Sequence, residues 1–267
     1  MRKIASILLA LCMVLAMSVG TMAFAVGTSP KKAANREGTY KVEVIDHNTR
    51  YPTDVVVYKP VGVTPKVGVV FYAGQPVDYR DYGTLLKRVA SAGYLVISPE
   101  FPLDSPMLNV PAGEEYMKHY PEVKEWFLMG HSYGGGTSLW EASLKPDLFK
   151  GLVLIAASPF GCKLPDDYPV LTIHATEDLS VPTYQHKILM MQIANCDVTE
   201  VIIKGGDHGQ FGDYPPMGNE GFPKISKKKQ LDITMKHILK FMNKYQKIAN
   251  DLLTESSLFE VCYSSLF

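Results

Sequence analysis

At 267 residues, with 46% hydrophobic and 20% charged residues, the chain is long enough to bury one sizeable core. Its 27 basic and 27 acidic residues cancel, so there is no net positive charge of the kind that draws a protein to nucleic acid. Neither HExxH nor paired CxxC occurs, and no metal or nucleotide cofactor is implied.

In chain order, Arg2 and Lys3 precede an apolar run over residues 4–19, and Ala23-Phe24-Ala25 has the small-x-small pattern that signal peptidase cuts after. Residues 1–25 are therefore expected to be a signal peptide. That predicts a secreted or extracytoplasmic protein with no stable membrane insertion after cleavage. An uncleaved anchor is the competing reading, although the apolar stretch is short for a span. Cys12 does not fit lipidation, because Leu11 stands where that cleavage needs a small residue. Residues 26–38 read as a polar, flexible leader.

A catalytic domain is expected over residues 39–249. Residues 40–46 and 53–59 alternate apolar and polar side chains around a short turn, as an antiparallel hairpin does. From Val67 the pattern changes to apolar strands separated by helix-length segments: a strand at 67–72, a helix over 79–92 and a strand at 94–98. Further strands follow at 126–129, 152–157, 169–175 and 198–203. This alternation predicts crossover helices and an eight-stranded, mostly parallel sheet flanked by helices. About a dozen residues separate Ala157 from Pro169, which leaves no room for a cap domain there. The segment 101–120 either walls one side of a pocket or packs as a short helix.

Gly130-His131-Ser132-Tyr133-Gly134 follows the apolar run ending at Met129 and precedes Gly135, Gly136 and a helical pattern. A strand, a sharp turn and a helix with a serine at the tip hold that serine in a strained conformation, so only small residues fit two positions on either side. The glycines here lack the lysine of a phosphate loop. A serine hydroxyl needs a base, and the base needs an orienting carboxylate. Asp178 lies in the loop leaving strand 169–175, and His208 in the loop leaving strand 198–203, in the order serine, acid, histidine. Glu177 and Asp207 compete with Asp178 as the acid. An oxyanion site needs backbone donors. The amide of Tyr133 is one candidate; the other comes from Gly74 or Gln75 after strand 67–72, since Pro76 has no N–H, and Gln75 is preferred.

These residues resemble the α/β-hydrolases, and more closely the small capless bacterial members grouped as alpha/beta hydrolase family 5, related in outline to dienelactone hydrolases. The resemblance is carried by the loop 71–75, by Pro121-Glu122-Val123-Lys124 before the elbow strand, by the elbow, and by the decapeptide 205–214, over about residues 66–242. It implies the α/β-hydrolase fold, the Ser132-His208-Asp178 triad and a carboxylic-ester-hydrolase class acting on a small-molecule ester. Tyr133 departs from the Leu or Met often found there, which alters the pocket but not the backbone donor.

The remaining residues have plainer readings. His131 is expected to be packed or hydrogen-bonded and His174 to lie in the core, while His47, His119, His186 and His237 have no partner identifiable in sequence. Gln210 and Tyr214 either shape the pocket or order the loop to Pro223. The lysines at 224–229 open an amphipathic terminal helix and are expected to form a solvated face; attraction to an anionic surface is the alternative. Cys162 and Cys196 are expected to be buried free thiols rather than a pair, with Cys262 in an apolar tail over residues 250–267. The leading function is ester hydrolysis through an acyl-enzyme. Acyl transfer on the same triad and a non-catalytic binding protein with this fold are the alternatives.

Overall fold

The computed structural model describes residues 36–47, 54–110 and 112–247. The expected signal peptide, residues 26–35 of the leader, and the tail with Cys262 lie outside the described residues. Among the described residues, eight strands form one sheet in the order β1-β2-β4-β3-β5-β6-β7-β8. They are β1 (Val42–His47), β2 (Val55–Pro60), β3 (Val67–Tyr72), β4 (Leu95–Pro99), β5 (Glu125–His131), β6 (Leu152–Ile155), β7 (Pro169–Ala175) and β8 (Asp197–Ile203). The first hairpin is antiparallel, and β2 also runs antiparallel to β4. From β4 across to β8 every pairing is parallel.

Period-two alternation sends side chains to two separate cores. Along β3, Val69 and Phe71 join a cluster with Leu86 and Val89 of α1 (Gly83–Ser91) and with Met235 and Ile238 of α5 (Lys227–Tyr245). Val70 and Tyr72 face the other way. They join Tyr116 of α2 (Ala112–Met117), Leu139 of α3 (Ser132–Leu144) and Leu189 of α4 (Thr183–Gln192). Both faces of the sheet are thus covered, which explains why the central strands read as unbroken apolar runs.

Two local expectations are refined. Helix α1 starts at Gly83 rather than residue 79, because the segment before it is spent on turns, with the Asp81 amide donating to Asp78 O at 2.9 Å. Segment 101–120 belongs to packing: Phe101, Ala112 and Tyr116 are buried in the second core. Toward the serine, Ser105 Oγ donates to Gln75 Oε1 at 3.2 Å. Residues 156–168, between β6 and β7, contain no helix. No helix among the described residues is long and apolar enough to cross a membrane. Cys162 and Cys196 are free, and half-buried rather than buried.

Of the basic cluster, Lys224 pairs with Glu177 at 2.8 Å, Lys227 with Asp213 at 2.7 Å and Lys228 with Asp232 at 2.7 Å. These local pairs offset much of the positive charge that an anionic surface would need.

Glu141 of α3 is 1% exposed, and neither carboxyl oxygen has a hydrogen-bond partner among the described residues. Burial, against an opposing contribution from the Tyr72 hydroxyl, pushes its pKa up to about 8 from 4.5. A raised folded-state pKa means that the unfolded chain releases this proton first, so stability falls as pH rises from about 4.5 and levels off above about 8. The group accounts for at most about 5 kcal/mol across that window. Glu141→Gln is expected to remove this slope. Melting temperatures of the variant and parent would diverge between pH 5 and pH 9, and parallel curves would refute the assignment.

Candidate active site

The site gathers at the carboxyl ends of the strands, beside the place where β4 and β5 leave β3 in opposite directions. β5 ends at His131 in extended backbone, and α3 begins at Ser132 with φ +55°. That left-handed conformation is costly for an L-residue and persists only where packing enforces it. The packing is explicit: a Cβ on Gly130 would overlap Gly134 O, and one on Gly134 would overlap the carbonyls of Ala73 and Tyr72. The elbow therefore rests directly on the end of β3. As a first-turn residue of α3, Tyr133 has an amide with no intrahelical acceptor.

Beyond β7 the chain turns at Thr176 and delivers Asp178, 4% exposed. Its Oδ1 accepts the Val181 amide at 2.7 Å, and its Oδ2 lies 2.8 Å from His208 Nδ1. A buried carboxylate needs such partners, since desolvation would otherwise favour its neutral form. With Nδ1–H donating to Asp178, His208 keeps Nε2 as its acceptor. Glu177 turns outward to Lys224 at 2.8 Å and accepts Thr176 Oγ1 at 3.0 Å, and these contacts hold its carboxyl below the usual range. Asp207 accepts the Gln210 amide at 3.0 Å instead of meeting the imidazole. The structure thus brings Asp178, and neither rival, to His208.

Ser132, Tyr133, Gln75 and His208 line one cavity of about 640 Å³ together with Ser158 and Asn219. No hydrogen bond joins Ser132 Oγ to His208 among the described residues, a contact that commonly tightens only when substrate binds. The expected donors separate clearly. The Gly74 amide donates to the Tyr82 hydroxyl at 3.0 Å, whereas the Gln75 amide has no acceptor among the described residues. Gly74 is thereby withdrawn as a donor, and Gln75 remains. Gln210 and Tyr214 line a separate cavity of about 330 Å³ that contains neither Ser132 nor His208. Gln210 Nε2 donates to Ile225 O at 3.1 Å, which ties the loop down.

Two residues near the site escaped the sequence reading. Glu220, 6% exposed, accepts the amides of Met217 and Gly218, the latter at 2.8 Å, while its own carbonyl accepts the His208 amide at 3.0 Å. Those amides hold its carboxyl below the ordinary range despite burial. It clamps the wall loop onto the histidine, and in sequence it looks like any solvated loop acid. His186, without a visible partner in sequence, bonds Glu200 at 2.8 Å and stacks on His174 with ring centroids 4.5 Å apart. Burial, then His186, lowers His174 to about 4. Among the described residues no group of three or more His, Cys, Asp or Glu is placed to hold a metal ion.

A strained serine at a strand-to-helix turn, on a mostly parallel sheet with an acid–histidine pair at neighbouring strand ends, defines a hydrolase-type site. The sequence model described as the alpha/beta hydrolase family matches residues 68–232. The chain belongs to that family. No curated protein matches it.

Proposed function

We propose that this protein is a secreted serine esterase that hydrolyses carboxylic esters with short acyl groups. The observation that carries the reading is His208, held by Asp178 at 2.8 Å and sharing a cavity with Ser132 at φ +55°. Ser132 Oγ attacks the ester carbonyl while His208 Nε2 takes its proton, and the tetrahedral oxyanion is bound by the amides of Tyr133 and Gln75. Collapse expels the alcohol, which receives the proton from His208, and leaves an acyl-Ser132. Water, deprotonated by His208, attacks the acyl carbon and releases the carboxylic acid and free Ser132. Asp178 holds the ring and stabilises the imidazolium without taking its proton.

Short acyl groups fit a cavity that no helix between β6 and β7 covers, where a long chain would stay exposed to water. Export rests on the leader sequence, Arg2-Lys3 followed by residues 4–19 and Ala23-Phe24-Ala25. Hydrolysis of p-nitrophenyl esters of increasing acyl length tests the reading, together with labelling by an organophosphonate. Expected are an optimum at two to four carbons, roughly the reach of an uncapped pocket, and a covalent adduct on Ser132. A folded sample that neither turns over any ester nor labels would refute the proposal.

A further inference from the structure

One buried hydroxyl sits where three parts of the proposed site meet. Tyr82, wholly buried, precedes α1 and packs against Phe71 at the end of β3. Its hydroxyl accepts the Gly74 amide at 3.0 Å and lies 2.9 Å from His131 Nδ1. An amide N–H can only donate, so the Tyr82 proton remains for Nδ1. In the opposite ring tautomer that proton would have no acceptor, since the Tyr82 hydroxyl makes no other hydrogen bond among the described residues. His131 therefore carries its proton on Nε2, an atom buried without a hydrogen-bond partner among the described residues. The His131 ring in turn lies against His208, with centroids 4.5 Å apart and planes inclined by 41°, and against Phe211 at 5.5 Å.

We infer that Tyr82 and His131 are positioning residues for the proposed hydrolysis: the Tyr82 hydroxyl pins the loop that carries the Gln75 amide and fixes His131 as an uncharged wall for the ring of His208. The inference rests on the esterase reading above. Gly74 is bonded to Tyr82 and Gln75 is the next residue, so the hydroxyl sets where the oxyanion donor stands. His208 becomes a cation each time it takes the Ser132 proton. A neutral ring beside that cation accommodates it, whereas a second imidazolium would oppose its formation.

The titratable groups facing His131 are Tyr82 before α1 and His208 after β8, with Tyr214 beyond Tyr82 and Asp178 beyond His208. Burial first, and His208 second, hold His131 well below the usual histidine pKa, against a raising contribution from the His208 backbone. That direction agrees with the hydrogen-bond geometry. In Tyr82→Phe the Nδ1 lone pair loses its donor and becomes free to take a proton.

The test is p-nitrophenyl acetate hydrolysis by the full chain from pH 5 to 9, with Tyr82→Phe and Tyr82→Phe/His131→Phe beside the parent and melting curves for each. Tyr82→Phe is expected to lower kcat roughly 10- to 100-fold with KM within about twofold, as a displaced donor does, and to move the acid limb of kcat/KM upward. The added His131→Phe keeps a ring but removes the titration, so the acid limb should return to the parental position. Unchanged kcat in folded Tyr82→Phe, or an acid limb that the second substitution fails to restore, overturns the inference. Should Tyr82→Phe not fold, ¹⁵N shifts of His131 in the parent decide. An Nε2–H tautomer that stays neutral down to pH 5 supports the inference, and an Nδ1–H tautomer overturns it. A parent that neither hydrolyses the ester nor labels at Ser132 refutes the esterase reading itself, and this role with it.

Discussion

Ser132→Ala is expected to lower kcat for ester hydrolysis by about 10⁶, and Asp178→Asn by about 10⁴, as losses of a nucleophile and of its orienting acid do. Glu177→Gln should leave kcat within about twofold, because Glu177 forms a partly exposed pair with Lys224. The contrast is sharp because the two acids are chain neighbours with the same charge. Asp178 Oδ2 is 2.8 Å from His208 Nδ1, and its Oδ1 is held by the Val181 amide at 2.7 Å. Asparagine at 178 can turn its amide nitrogen toward Nδ1, favouring the ring tautomer whose Nδ1 lone pair accepts that N–H and which presents Nε2–H instead of a lone pair toward the serine. Steady-state rates of the three purified variants, with melting curves to establish folding, decide the matter. A large loss in Glu177→Gln with little in Asp178→Asn would remove Asp178 from the mechanism.

Gly134→Ala is expected to destabilise the fold by about 3 kcal/mol or more, the upper range of overpacking costs. Its added methyl would occupy the space of the Ala73 and Tyr72 backbone carbonyls, which cannot swing aside as a side chain can. At this chain size that is a fall of roughly 6–12 °C in Tm, or failure to accumulate as folded protein. Gly161→Ala supplies the comparison. There φ is +72° but nothing lies within 4 Å of the added carbon, so the cost is only the conformational one, about 1–2 kcal/mol. Equal melting temperatures for the two variants would show that the elbow tolerates bulk, and the packing argument for Gly130 and Gly134 would fall.

Much of the fold was legible because it is written in short-range periodicity. The alternation over 40–46 and 53–59 corresponds to β1 and β2, and the run at 169–175 coincides with β7. The glycines around Ser132 announced the elbow because a tight turn admits nothing larger. The order of Ser132, Asp178 and His208 in loops that leave three apolar strands marks the candidate site in the sequence itself.

Side-chain partners were a different matter. Nothing local distinguishes Glu177 from Asp178. The choice falls to Lys224 and His208, the latter 30 residues away. In sequence both the Gly74 and Gln75 amides were candidates, with Gln75 preferred; the Tyr82 hydroxyl accepts the Gly74 amide, and His131 meets that same hydroxyl across 49 residues. Nothing in the sequence near Glu220 or His186 points to their partners. Backbone periodicity and steric demand act within a few residues, so the strands, the elbow and the chain order of the triad candidates are properties of the primary sequence. Hydrogen-bond partners and burial depend on which strand ends the sheet order places side by side. The contacts that single out Asp178, the Gln75 amide and the rings around His131 therefore arise only in the assembled fold.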